Sequence, residues 1–375
     1  HGRWLEFRRV LFRSYLWSQK KYLCLLALSV LTLTGCGEAK VSAIEKSDAI
    51  SKLNTASENT ENWKGFTIKE TAKISVSGDF SSKVNNLVTS SLKLDVNSSL
   101  KGSAELNADE MAKIKSGDVE NVDYANLVTA SLTTSNSVKY DLKTTINSNE
   151  SYVTTDVNIG GSLKYGKTTY NNITSDFLVG NINTKTKVKS NMQGTNNGTT
   201  EKSDFYGVYN IASSVKNIVG NIDTSDTPST DVTIDSSLLE SLVAKLDSYI
   251  SFGANDNMIQ VKIDVNDQLL ADIMANGNIK LPSEIGDITL PKVTAESAIY
   301  INAYLDKNGG FSKFSIDVSK LSLSFNYNLS GLNMACQADV NYSLIINNSS
   351  KEVDSITASD FSKEVQLIDL STLLK

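Results

Sequence analysis

Leu92 to Leu106, LKLDVNSSLKGSAEL, decides the fold. Leu92, Leu94, Val96, Leu100, Ala104 and Leu106 alternate with Lys93, Asp95, Asn97, Ser99, Lys101 and Glu105. Successive strand side chains point to opposite faces, so this pattern predicts one buried face and one wet face. Antiparallel sheets commonly have that division. The stretch runs 15 residues in one register, against a usual strand of about 5–6. It predicts a wide, strongly curved sheet, with a bulge at Gly102 or Ser98.

The same period extends in both directions. Upstream, Phe66, Ile68, Ala72, Ile74 and Val76 alternate with Thr67, Lys69, Thr71, Lys73 and Ser75. Downstream, the apolar series are Val128 to Leu132, Val138 to Ile146, Val153 to Tyr165, and one or two strands within Ile173 to Met192. Asn147-Ser148-Asn149 and Gly160-Gly161 read as turns, since these residues tolerate left-handed backbone. Strands resume at Val261 to Val265, and a meander follows through Ile299–Leu305, Phe314–Val318, Leu321–Leu329 and Met334–Ile346. Helices are expected over Ala39–Asn59 (Ser42 and Glu45 at capping-box spacing), over Asn107–Ser116, over Asp235–Ile250, and in a short piece within Ser359–Leu374. The fold class expected is α+β and β-rich: a large curved antiparallel sheet with a few covering helices.

Before the first strand, Lys20-Lys21 precede an apolar run from Tyr22 to Leu33 that ends in Leu33-Thr34-Gly35-Cys36. A basic start and an apolar centre of about 7–15 residues make an export signal. The run is too short for a membrane span, which needs about 20 apolar residues. Leu33-Thr34-Gly35-Cys36 resembles the lipobox of bacterial lipoproteins. The resemblance implies that a peptidase recognises Leu33, Thr34 and Gly35, and that Cys36 carries a diacylglyceryl group as first mature residue. Two acyl chains anchor durably where one is marginal. Residues 1–14, which include EFRRVLFRS, resemble the translation of a sequencing adapter and are set aside. The expected organisation is then 15–35 signal, 36–41 tether and 42–375 one large β-rich domain, with a candidate boundary in the turn-rich 220–231.

Composition narrows the chemistry. Residues 1–35 hold six of the 36 Lys and Arg and one of the 42 Asp and Glu, which leaves 30 basic and 41 acidic residues, a net charge near −11. Such a chain repels nucleic acid. All four arginines and the single histidine lie in residues 1–13. Beyond them there is no histidine base for a serine or cysteine hydrolase, no zinc-type imidazole and no arginine clamp. Two carboxylates alone still suffice for a glycosidase. No phosphate loop, dinucleotide fingerprint or nucleophile elbow is present, and neither cofactor nor metal is expected. Cys24 leaves with the signal, so Cys336 has no intrachain disulfide partner. It keeps phase with Met334, Ala338 and Val340 and reads as a small core residue. Asp223, Asp226 and Asp231 could draw calcium but lack EF-hand spacing, as does Asp306 to Gly310. Tyr140, Tyr165, Tyr300, Tyr304, Tyr327 and Tyr342 could line a cavity or stack on sugar, though tyrosine is also an ordinary strand residue.

A lipobox, a helix and then long antiparallel strands over Ser42 to Ile346 resemble the layout of LolA/LppX-type lipoproteins. The resemblance implies a half-open, curved sheet with helices over its concave side, where some members bind lipids. The expected function is a non-enzymatic, membrane-anchored, extracytoplasmic lipoprotein that binds a lipid, another hydrophobic ligand or an envelope component. The alternatives are a structural or adhesive surface protein, for which an exposed apolar patch would speak, and a carboxylate-only glycosidase.

Overall fold

The computed structural model describes residues 41–60, 63–82, 88–212, 247–276, 287–288, 292–293, 297–329, 332–349, 353–361 and 367–373. Its strands are β1 (Ser42–Ile44), β2 (Gly65–Ser82), β3 (Val88–Leu106), β4 (Val128–Ile146), β5 (Asn149–Tyr170), β6 (Ile173–Ser190), β7 (Gly198–Tyr209) and β8 (Ile250–Asn255). They continue as β9 (Met258–Val265), β10 (Asp287–Ile288), β11 (Lys292–Val293), β12 (Ser297–Leu305), β13 (Phe311–Leu329), β14 (Leu332–Asn348) and β15 (Leu367–Asp369). The helices are α1 (Lys46–Asn59), α2 (Ala108–Ser116), α3 (Asp267–Asn276) and a final turn α4 (Leu370–Leu373).

All fifteen strands join one sheet, in the order β1-β8-β9-β12-β13-β14-β2-β3-β4-β5-β6-β7-β15, with β10 and β11 beside β13. The pairings are antiparallel except for β15, which runs parallel to β7 over three residues. Strands from either side of 213–246 belong to this one sheet; the turn-rich stretch 220–231 lies outside the described residues. β5 has 22 residues, roughly 70 Å at about 3.3 Å each.

β3 keeps an unbroken register with both neighbours, so neither Gly102 nor Ser98 bulges. Gly102 instead leaves room for its neighbours: a Cβ there would lie 2.9 Å from Ile68 Cγ2 and 3.0 Å from Leu132 Cδ1. The register shifts lie elsewhere, between Tyr304 and Leu305 and between Val318 and Leu321. Gly160-Gly161 is not a turn. It lies inside β5, opposite Ser135 and Thr134 on β4 and Asn183 and Ile182 on β6. The hairpin turns at the two ends of β5 are Asn147-Ser148 and Asn171-Asn172, all four at positive φ, where asparagine is tolerated best among non-glycines.

Ser42–Ile44 pairs with β8 rather than opening a helix, and α1 starts after Glu45, whose side chain makes no cap bond. Asn107 does cap α2, accepting from the Asp109 and Glu110 amides, and Gly117 closes it at φ 83°. The helix expected to end at Ile250 lies mostly outside the described residues, but Tyr249 ends a 3-10 turn and Ile250 opens β8. A helix not expected, α3, starts where Asn266 Oδ1 accepts the Leu269 amide at 2.9 Å.

Directly opposed residues share a face, so the register sorts every side chain. One face, here called A, carries Ile68, Ile74, Leu94, Val96, Leu132, Val138, Val157, Leu163, Val318, Val340 and their like. The opposite face, B, is polar. It carries a ladder of Asp339, Ser75, Asp95, Lys139, Asp156 and Lys187 across six strands. Lys93 reaches Asp95 at 3.2 Å and Lys139 reaches Asp141 at 3.1 Å. The Ser75 hydroxyl bonds Asp95, and that bond, then Lys93, hold the Asp95 carboxyl below its ordinary value against the opposing effect of burial. A one-residue slip would exchange the two faces, so this division pins the register.

Candidate functional site

Face A is covered unevenly. Over β9, β13 and β14 it is packed: Ile263, Val265, Val318, Leu321 and Val340 form a core with Leu269 of α3. At one end of β3 to β6 the 107–127 segment crosses it. There Glu110 accepts the Asp123 amide at 2.7 Å, Lys113 at 2.9 Å, and Lys167 reaches Asp123 at 2.6 Å. Beneath lies Asp176, only 2% exposed, which accepts the Tyr165 hydroxyl at 3.0 Å and the Ala212 amide at 2.8 Å. Burial, and then the Asp176 charge, push the Tyr165 hydroxyl well above its ordinary value.

Between these covers face A is open. Leu92, Ile146, Ile159, Leu163, Ile182 and Tyr206 are 36–52% exposed. Leu163 and Tyr206 flank Gly180 across the strands, and Ile182 lies opposite Gly161. The exposed side chains recur over β5, β6 and β7 beside half-buried Leu132, Val138 and Val157, interrupted on β7 by the Lys202–Asp204 pair at 2.6 Å, whose Asp204 lies opposite Ile182. A soluble monomer rarely exposes an apolar patch beyond about 300–600 Å2 without using it.

Face B is covered by protein at its far edge. Phe177 and Val179 are 0% and 1% exposed under Phe361. The Phe361 ring stacks on Tyr170 at 3.9 Å and meets Phe177 edge-on at 5.2 Å. Lys164 ties the same segment down through Asp360 at 3.1 Å and Asp354 at 3.4 Å. Near the other edge a buried chain of polar groups crosses four strands. Gln260 donates to Asn302 at 2.8 Å, Asn302 to Ser315 at 3.1 Å and to Asp317 at 3.2 Å, and Ser343 to Asp317 at 3.2 Å. With several donors on one carboxylate, this network satisfies its buried polar atoms internally.

The residues singled out in the sequence do not converge. Leu33, Thr34, Gly35 and Cys36 lie outside the described residues, as do Asp223, Asp226 and Asp231. Asp306 caps its own turn, accepting the Asn308 and Gly310 amides at 2.8 and 3.0 Å. Cys336 is half-buried on face A, and burial pushes its thiol up, away from reactivity. Tyr140, Tyr165 and Tyr342 sit on face A but Tyr300 and Tyr304 on face B, so the tyrosines line no common cavity. The Tyr327 side chain lies outside the described residues. Among the described residues no cluster of three or more His, Cys, Asp or Glu could hold a metal.

No family model matches the chain, and no curated protein matches it. Among solved structures, the transport unit of the autotransporter AIDA-I from Escherichia coli is 9% identical, over 81% of this chain and 97% of that one, with a TM-score of 0.21. The translocator domain of autotransporter NalP from Neisseria meningitidis is 8% identical, over 83% of this chain and 99% of that one, with a TM-score of 0.17. Similarity at these TM-scores says nothing of what this chain does.

Proposed function

We propose that the chain is an exported lipoprotein, anchored through acyl groups on Cys36, that binds acyl chains of a lipid on the open part of face A without catalysing a reaction. The observation that carries this reading is the run Ile159, Leu163, Ile182 and Tyr206, 37–52% exposed on one face of three adjacent strands. The half-open barrel of the LolA/LppX-type plan accommodates such a face as its ligand side. Five residues separate Cys36 from Ser42, a reach of at most about 20 Å, which would hold the face near the bilayer. A purely binding role is supported by the spacing of carboxylates in a groove of about 530 Å3. Asp79 and Glu150 both line it, but on β2 and β5 they are three strand spacings apart, roughly 14 Å along a flat sheet. A glycosidase pair needs about 5–10 Å.

A second reading, a structural or adhesive surface protein, is favoured by the openness of the same patch, with no helix closing a cavity over it among the described residues. Titration with a fluorescent C16 fatty acid separates the two. The lipid-binding reading predicts saturable binding by the parent and at least tenfold weaker binding by the Leu163→Lys, Ile182→Lys double variant. No binding by the parent would leave the structural reading. The anchor is tested apart from this, by mass spectrometry of the N-terminal peptide in the parent and in Cys36→Ala. An unacylated parent removes the lipoprotein claim.

A further inference from the structure

Two grooves of the described sheet open on polar face B, opposite the proposed lipid face. One, of about 320 Å3, crosses β5, β6 and β7 and is lined on that face by Asn158, Gly160, Asn183, Lys185, Glu201 and Ser203. Its polar groups are held in place by one another. Ser203 donates to Asn183 Oδ1 at 2.7 Å, and Asn158 Nδ2 donates to Asp156 at 3.1 Å. Each amide then has one end spoken for and presents the other, a donor from Asn183 and an acceptor from Asn158. Lys185 and Glu201 pair at 2.5 Å, so the groove wall carries no net charge. Gly160 has no side chain, so the floor is backbone.

Beside this groove stands an aromatic ring on an otherwise polar surface. Phe205 lies two residues beyond Ser203 on the same face, opposite Asn181, and is 37% exposed. The wider groove, about 530 Å3, has the same arrangement. It is lined by Thr89, Lys143, Thr145, Glu150 and Asn333, and Tyr152, opposite Lys143, is 36% exposed. Phe205 and Tyr152 are the large exposed rings of face B among the described strands. Their neighbours, Asn181 on β6 and Asn191 one residue past its end, are ten residues apart, roughly 33 Å along the sheet.

We propose that face B binds a neutral glycan chain, with Phe205 stacking on one sugar ring and Asn158 and Asn183 taking its hydroxyls. A flat ring offers apolar surface to the C–H face of a pyranose, and fixed amide donors and acceptors suit its rim of hydroxyls. The paired Lys185 and Glu201 offer no free charge to an anion, and an acyl chain would leave the amides unpaired. Tyr152 gives the same chain a second platform. This site is independent of the proposed lipid face, since the two lie on opposite sides of the sheet.

Isothermal titration with three neutral hexasaccharides tests it: β-1,4-glucan, β-1,6-glucan and β-1,4-linked N-acetylglucosamine. The full chain binds at least one of them with a Kd of about 1 mM or tighter. Phe205→Ala weakens that binding at least tenfold, Phe205→Tyr retains it, and Tyr206→Ala, on face A, leaves it within twofold. Circular dichroism confirms that each variant keeps its sheet. The proposal is overturned if none of the three binds at about 5 mM, if Phe205→Ala binds like the parent, or if Tyr206→Ala weakens binding as much as Phe205→Ala does. None of these outcomes touches the fatty-acid titration.

Discussion

Ile182→Ala and Ile259→Ala remove the same three carbons from one face of one sheet, yet they should differ severalfold in cost. Ile259 is 1% exposed and Ile182 is 45% exposed. Truncating a buried isoleucine costs about 2–5 kcal/mol, because lost transfer energy is joined by the cavity left behind. At Ile182 about half the side chain is already in water. Three carbons at about 0.8 kcal/mol each when fully buried, scaled by roughly one half, come to about 1 kcal/mol, with no cavity. Urea unfolding followed by circular dichroism measures both against the parent. The expected result is a small shift in midpoint for Ile182→Ala and a shift at least twice as large for Ile259→Ala, at equal slope. Equal shifts would mean that Ile182 is core, and that face A over β5 to β7 is covered after all.

Other consequences follow from the covered face B. Phe361→Ala empties the space between Tyr170 and Phe177 and should cost about 3–5 kcal/mol. Hydrogen exchange should then rise first in β15 and the 353–361 segment, and an unchanged exchange pattern would refute that role. Acid should loosen the same segment. Burial pushes the Asp360 carboxyl up, but the Thr357 amide and hydroxyl and the Lys164 ammonium outweigh it and hold it below its ordinary value. A carboxyl depressed in the folded state stabilises above its unfolded value, and that stability is lost as pH falls through the folded one. Asp141 is depressed in the same sense, by the Thr154 hydroxyl first and then by Lys139. Stability should therefore be flat near neutrality and fall below about pH 4. Asp360→Asn should be less stable at pH 7 and show a shallower acid slope, and an unchanged slope would contradict the assignment.

The two-residue period of Leu92 to Leu106 carried most of the architecture. It placed Leu94 and Val96 on one face and Lys93 and Asp95 on the other, as the register does. What local pattern did not carry was decided by partners far away in the chain. Gly160-Gly161 has turn composition, yet Thr134 and Ser135 on one side and Ile182 and Asn183 on the other hold it extended. Ser42 has a helix-cap spacing, but β8 takes it as an edge strand. The α3 helix was legible in Asn266 followed by Leu269, Leu270 and Ile273, a capping residue before a helical apolar spacing. The sites were less legible. Whether an apolar strand face is core or surface depends on what crosses it, and α3 crosses at Val318 but not at Ile182. The contrast between Phe205 and Tyr206, one on each face, appears only once β6 fixes which way each points.

The open part of face A is the proposed lipid-binding surface. Native mass spectrometry of the full chain, purified in mild detergent from the cells that make it, tests that most directly. The expected result is a non-covalent acyl-lipid mass on the parent, separate from the acyl groups proposed on Cys36. That mass should be lost in the Leu163→Lys, Ile182→Lys double variant and retained in Phe205→Ala. A parent free of non-covalent lipid, or a double variant that still carries it, would contradict the claim.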